Sequence, residues 1–456
     1  MLETAFYASI AVLAANMLVG IYSGKSKRLS QASTLASLAI VLSLSILSLL
    51  TPMALRVSGE ITSDPFSQAL TVVILLDVLI AIYGSLEPAM EYRYPQGVDV
   101  LTSAALLGLI GIAWSNSLLM FFSSWILFSA SSYALIAIPR DKYSASGASK
   151  YALMSLAASN LLLLALGLLV INTRSMLITP TAAFPHVTAV AILALLLASL
   201  GFKVGVFPFH AWLPDTYGYS DPLPVSIVAP LSKTATILAL YKLSVIIAKG
   251  AGGFWLSLVG IMSVFTMTYG NITALLQQEL QALLAYSSIA QAGYLLVGVA
   301  SLALAGSSYE YALYGLALQL LAYSLAKTGL FLLARAIRKN GEKPPALTAL
   351  RGLGRLNPSL AASTAVLTLS LMGMPPLAGF WGKLFLFIAP VTQAPWLTGI
   401  ALINTGIAAA YYARLIKAIY FEEGEVKVLY ATTSNAVKVL AVLTVLAGLI
   451  PFFLHP

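Results

Sequence analysis

Cysteine is absent from this 456-residue chain, which excludes a disulfide, a thiolate metal site and an iron–sulfur cluster built from its own side chains. Histidine is nearly absent as well. His186, His210 and His455 are the only three, and they stand too far apart to offer ligand spacing for zinc or haem. No metal and no cofactor is therefore expected in this chain. Charge is the third scarcity: Asp, Glu, Lys and Arg make up 9% of the residues against 59% for hydrophobic ones, well below the roughly one quarter charged that soluble domains carry. A nucleic-acid footprint would need the net charge of +9 gathered on one polar face, and no soluble domain is present to carry it. The clustered aspartates or histidines of a membrane-embedded enzyme are missing too.

What the chain has is apolar length. Runs of about 20 hydrophobic residues recur throughout, each long enough to cross a hydrocarbon core of about 30 Å as a helix, and their continuity excludes the alternating pattern of a β-barrel. The first run follows an acidic residue and precedes a basic cluster, the reverse of a secretory signal, and reads as a retained span. The expected fold is an all-α polytopic membrane protein of about fourteen transmembrane helices. The spans fall at 4–23, 32–52, 66–85, 99–114, 117–138, 150–171, 188–207, 223–247, 253–275, 282–305, 310–334, 359–391, 396–419 and 432–454.

Basic residues are distributed unevenly between the loops. Those after odd-numbered spans hold Lys25, Lys27, Arg28, Arg93, Arg140, Lys142, Lys150, Arg335, Arg338, Lys339, Lys343, Arg351, Arg355, Arg414, Lys417 and Lys427; those after even-numbered spans hold Arg56, Arg174 and Lys249. The positive-inside rule then places the odd loops in the cytoplasm and both termini on the extracytoplasmic side of the plasma membrane.

Six lysines are left inside or near apolar runs. Lys242 and Lys438 sit close enough to span ends to snorkel to the interface. Lys203, Lys233, Lys327 and Lys383 do not, and a lysine at the bilayer centre costs about 2.5–3.5 kcal/mol on insertion scales. A buried amine titrates easily, because small changes in hydration or neighbouring charge load or unload it. A row of them makes a proton relay. Asp77 and Glu279 are the available charge partners, Glu279 also reading as a solvated turn residue.

Two spans carry breaks. Pro208 and Pro214 follow Lys203, and Pro375 and Pro376 precede Lys383 among Gly373, Gly379 and Gly382. Proline removes a backbone donor and frees carbonyls, which in a membrane must line a polar cavity. Paired interruptions of this kind point to inverted repeats around a midplane pathway. His210 lies in the first break, either as a proton shuttle or as a structural imidazole capping freed carbonyls.

Five strings, "GFKVGVFPFHAWLPDTY" (201–217), "APLSKTATI" (229–237), "LLAYSSIAQAGYLLVG" (283–298), "LAYSLAKTGLFLLA" (321–334) and "GMPPLAGFWGKLFLF" (373–387), occur in one order. In them the chain resembles the antiporter-like proton-conducting subunits of respiratory complex I, membrane-bound hydrogenases and multisubunit cation/proton antiporters. The resemblance implies a central hydrophilic axis through Lys203 and Lys383, on the broken seventh and twelfth helices, and Lys233 and Lys327, on the eighth and eleventh. It implies N-terminal helices at 1–98, two inverted five-helix repeats at 99–248 and 253–420, and a last helix at 432–456. It also implies further antiporter-like membrane subunits and a redox arm as partners.

Three departures stand out. Ile126 occupies the position of the glutamate that usually partners the first lysine, Gln291 replaces a histidine, and Gln281 and Ala282 replace a Lys-Arg pair. No long lateral helix is expected after the last span. The leading function is a non-redox, proton-translocating subunit of a redox-driven complex; a subunit of a Na+/H+ antiporter and a scaffold with a degenerate ion path are the alternatives.

Overall fold

The computed structural model describes residues 2–23, 26–50, 56–178, 185–251 and 253–452. His455 and Lys25 lie outside them. The helices run in order α1 (Leu2–Tyr22), α2 (Lys27–Leu50), α3 (Pro65–Ser85), α4 (Gln96–Trp114), α5 (Leu118–Ala137), α6 (Lys142–Thr173), α7 (His186–Val204) and the short α8 (Trp212–Tyr219). They continue with α9 (Pro222–Ala251), α10 (Gly253–Leu276), α11 (Leu280–Ser301), α12 (Ser307–Ala336), the single turn α13 (Leu353–Leu356), α14 (Pro358–Met372), α15 (Ala378–Ile388), α16 (Pro395–Tyr420) and α17 (Ala431–Ala447). Among the described residues thirteen helices are long and apolar enough to span a membrane, and α14 with α15 form a further span in two pieces. This is a multi-pass membrane protein with the fourteen spans the apolar runs imply.

Local chemistry sets the helix ends. Asp64 caps α3 by accepting from the Ser67 N–H at 2.8 Å, with Pro65 in the first turn where its missing donor is harmless. Asp141 accepts from the Tyr143 and Ser144 N–H groups, so α6 begins at Lys142, well before the apolar run does. Between α2 and α3 the chain forms a small hairpin of β1 (Arg56–Ser58) and β2 (Ile61–Ser63), the one pair of strands among the described residues. It seats against the neighbouring loops: Asn116 N–H donates to Glu60 O, and Ile178 N–H to Asn116 O.

Loops that follow spans of the same parity meet one another. Loops after even-numbered spans bond to one another through the hairpin, Asn116 and Ile178. On the opposite side Arg335 bridges Glu91 at 2.7 Å and lies 3.4 Å from Asp221, while Arg338 donates to Gln281 at 2.6 Å and to Ser220 O at 2.9 Å. Arg335 and Arg338 are therefore not solvated loop charges; both are fully buried. Gln281, at a departure from the family pattern, serves as acceptor for Arg338, a role a lysine there could not fill.

The centre of the bundle is α9, α11 and α12, enclosed along nearly their whole length, while α1 and α2 lie at the periphery. Lys242 on α9 does not snorkel to an interface. It is buried, donating to Thr62 Oγ1 at 2.9 Å and Ser115 O at 3.0 Å, with Asp64 at 3.9 Å, and so clamps the hairpin.

Candidate functional site

Both breaks are built by glycine followed by proline. α7 ends at Gly205 (φ +82°), whose N–H returns to Gly201 O, and Pro208 follows in the connecting turns. α14 ends at Gly373 (φ +95°), whose N–H returns to Leu369 O, and Pro375 and Pro376 follow before α15. Pro214 is not part of a break: it sits in the first turn of α8. A further proline, Pro230, lies inside α9 without ending the helix.

All four lysines are buried, Lys203 1%, Lys233 1%, Lys327 0% and Lys383 3% exposed. Lys233 donates to the carbonyl of Val204, the last residue of α7, so a break in one helix is met by the amine of the next span. Lys383 donates to Leu371 O and Met372 O, both at 2.9 Å, the carbonyls freed where α14 stops. Lys327 donates to Leu284 O at 2.7 Å and Ser287 Oγ at 2.5 Å on α11. Lys203 meets no carbonyl: its Nζ donates to Ser132 Oγ at 3.0 Å and lies 5.1 and 4.5 Å from the ring centres of Phe128 and Tyr151.

None of the four has a carboxylate oxygen within 4 Å among the described residues. Asp77 and Glu279 are thus not their ion-pair partners. Asp77 Oδ2 lies 2.8 Å from the Thr328 hydroxyl; among the described residues its Oδ1 has no hydrogen bond, and neither does Oε2 of Glu279, half-buried before α11. Ile126 is 38% exposed on the outside of α5, so its position does not belong to the enclosed pocket around Lys203.

Uncharged polar groups, which the charge-based reading passed over, lie beside these amines. Ser132 Oγ lies 3.0 Å from Tyr151 OH, and Tyr151 OH lies 3.4 Å from the hydroxyl of Ser232, the neighbour of Lys233. Gln291 donates to Leu371 O at 3.1 Å, the same carbonyl that holds Lys383, and accepts from Gln319 at 2.7 Å. Beyond Lys383, which sits 4.7 Å from the Tyr294 ring, Asn271 joins Tyr294, Asn404 and Tyr411 in one cluster. The signal was available as Ser, Gln, Asn and Tyr inside apolar runs, as in "SASSY" at 129–133. The Thr234 and Ser324 hydroxyls and Gln319 Oε1, beside the lysines, make no hydrogen bond among the described residues. Buried polar atoms of this kind are usually served by water.

His210 is buried in the first break, packed on Tyr269 and Phe207 with ring centres 4.2 and 5.5 Å away, and its Nδ1 makes no hydrogen bond among the described residues. No hydrogen bond links it to any of the four lysines. Among the described residues no three His, Asp or Glu side chains gather as a metal site would require.

Comparison with known proteins places this architecture. The chain is 31% identical to NADH-quinone oxidoreductase subunit N of Granulibacter bethesdensis over 389 residues, covering 81% of this chain and 79% of that one. It is 31% identical to F(420)H(2) dehydrogenase subunit N of Methanosarcina mazei, with 81% and 77% covered. A chain of respiratory complex I from Thermus thermophilus superposes with a TM-score of 0.84 at 30% identity, covering 97% of both chains. A chain of the Mrp complex of a Dietzia species shares the fold, with a TM-score of 0.85 at 22% identity. Residues 115–408, which hold all four lysines and both breaks, match the family model described as NADH:quinone oxidoreductase/Mrp antiporter, TM, and the chain belongs to that family.

Proposed function

We propose that this chain is a proton-translocating membrane subunit of a redox-driven, complex I-like assembly, with protons moving along an axis that holds Lys203, Lys233, Lys327 and Lys383. The carrying observation is four buried amines that lack carboxylate partners and are held by neutral oxygens. An ammonium held this way has no fixed counter-charge to trap its proton, so loading and unloading stay close in energy. Carbonyls freed at the breaks stabilise the charged form, and the hydroxyls of Ser132, Tyr151 and Ser232 offer a path between Lys203 and the Lys233 helix. Lys383 with the Asn271 and Tyr411 cluster makes the opposite end.

The relatives at 31% identity are subunits of an NADH-quinone oxidoreductase and an F(420)H(2) dehydrogenase, which favours a redox-driven complex over an antiporter without a redox partner. Partners are then other membrane subunits, further antiporter-like chains among them, and a redox arm that carries the cofactors; this chain carries none. Residues 99–248 and 253–420 act as the two inverted halves. The loops after odd-numbered spans face the cytoplasm, and the termini lie outside the plasma membrane.

Purification from native membranes followed by reconstitution tests this. Redox-cofactor subunits should co-purify, and electron transfer should build a proton gradient that collapses in the Lys233→Ala and Lys383→Ala complexes. Co-purification with small antiporter subunits alone, or a normal gradient in both variants, would overturn the reading.

A further inference from the structure

Asp77 is a buried acid that stands outside the relay. Asp77 lies in the middle of α3, which packs against both α9 and α12. Its side chain is fully buried, and no Lys, Arg or His nitrogen comes within 4 Å of it among the described residues. A bare carboxylate in such a place costs far more than a neutral polar group.

The hydrogen-bond arithmetic gives the alternative. Pro230 has no N–H, so the carbonyl four residues earlier, Ser226 O, loses its helical donor. Thr328 Oγ1 lies 3.1 Å from that carbonyl and 2.8 Å from Asp77 Oδ2. A hydroxyl has one hydrogen to give and two lone pairs with which to accept. If Asp77 were ionised, both oxygens would compete for the single Thr328 hydrogen. One buried acceptor would be left unserved, and Oδ1 has no donor in either case. If Asp77 is protonated, its O–H donates to Thr328, Thr328 donates to Ser226 O, and the chain closes.

We infer that Asp77 is a neutral carboxylic acid whose O–H, relayed through Thr328, caps the carbonyl that Pro230 frees, and that it is a positioning residue for the segment carrying Lys233. Thr328 directly follows Lys327, and Pro230 lies one helical turn before Lys233. The short chain thus pins α3 to the two central lysine helices where both carry their amines. Asp77 is not a counter-ion on this assignment, and it need not lose its proton during turnover.

Infrared spectroscopy of the purified complex, with aspartate carbon-labelled, tests the protonation state. A carboxylic C=O band present in the parent should vanish in Asp77→Asn and shift in Thr328→Val. Absence of such a band overturns the assignment, and this arm does not depend on the translocation reading above. The second arm, which does, uses reconstituted proton pumping. Asparagine can donate to Thr328 as the acid does, so Asp77→Asn should pump within about twofold of the parent, whereas Asp77→Ala should fall by about tenfold or more through misplacement of the lysine helices. Pumping lost equally in both variants, with assembly intact, would mean that Asp77 must ionise and would overturn the positioning role.

Discussion

The two breaks solve one problem in different ways. Each ends a helix on a left-handed glycine and leaves carbonyls without helical donors. At the second break the span serves itself: Lys383 of α15 turns back to Leu371 O and Met372 O, and Gln291 shares the first of them. At the first, Val204 O is taken by Lys233 from the following span, and the local lysine, Lys203, is left in a pocket of Ser132, Phe128 and Tyr151. What defines a carbonyl-held amine is therefore the break, not the lysine nearest to it in sequence. Lys233 and Lys383 are counterparts by chemistry, although only Lys383 lies on a broken helix.

The largest effect expected from breaking this comparison is at Gly379. A Cβ there would stand 1.9 Å from Ser370 O, a backbone atom, so Gly379→Ala should prevent α14 and α15 from meeting. Gly205→Ala at the first break is milder. Its left-handed backbone costs about 1–2 kcal/mol with a side chain, and the nearest obstacle is the movable tip of Leu213 at 2.5 Å. The amount of assembled subunit in membranes should be near zero for the first and reduced for the second; equal amounts would mean the second break tolerates rebuilding.

Next in size are the amines. Lys233→Ala and Lys383→Ala should each lower proton pumping by about a hundredfold, the scale of a lost proton-transfer group, with the complex still assembled. Ser132→Ala tests the odd member: it removes the one hydrogen bond of Lys203 and should slow pumping only a few-fold, on the order of 1 kcal/mol. A Ser132→Ala defect as deep as that of Lys233→Ala would place Lys203 on equal footing with the carbonyl-held amines.

How far the sequence carried these distinctions depends on range. Span number, both breaks and the burial of the four lysines were legible, because apolar length, Gly-Pro pairs and isolated charges are local signals. Partners were not legible. Nothing local in "APLSKTATI" says that Lys233 reaches the end of α7, and Asp77 looked like a counter-ion until Thr328, 251 positions away, was placed beside it. Lys242 read as an interfacial charge and Arg335 and Arg338 as loop charges by position, yet the tertiary fold closes over them. Pro230 was visible but sits in an unbroken helix, so its consequence appeared only once Thr328 was seen beside the carbonyl it frees.

The smallest predicted effect concerns what surrounds each break. The first is tied to the odd-side loops: Arg335 lies beside Asp221 at the start of α9, and Arg338 donates to Tyr219 O and Ser220 O just past α8. The second instead touches the end of α17, where Gly448 packs on Pro376. Glu91 completes the first set. Burial pushes its carboxyl up, but hydrogen bonds from Tyr430, the Asn340 N–H and Arg335 outweigh this and hold it below the usual range. A group depressed in the folded state adds stability above its unfolded value, and that contribution is lost as pH falls through the folded one. Acidification to below the ordinary carboxylate range should therefore loosen this network, and Glu91→Gln should mimic the loss near neutral pH. With Glu91 partly open to solvent, the effect should stay below about 1 kcal/mol. Amide hydrogen exchange resolves where it falls: protection should drop in α8 and the start of α9 and stay unchanged in α15. Equal loosening at both breaks would show that the odd-side network supports the whole bundle and not the first break alone.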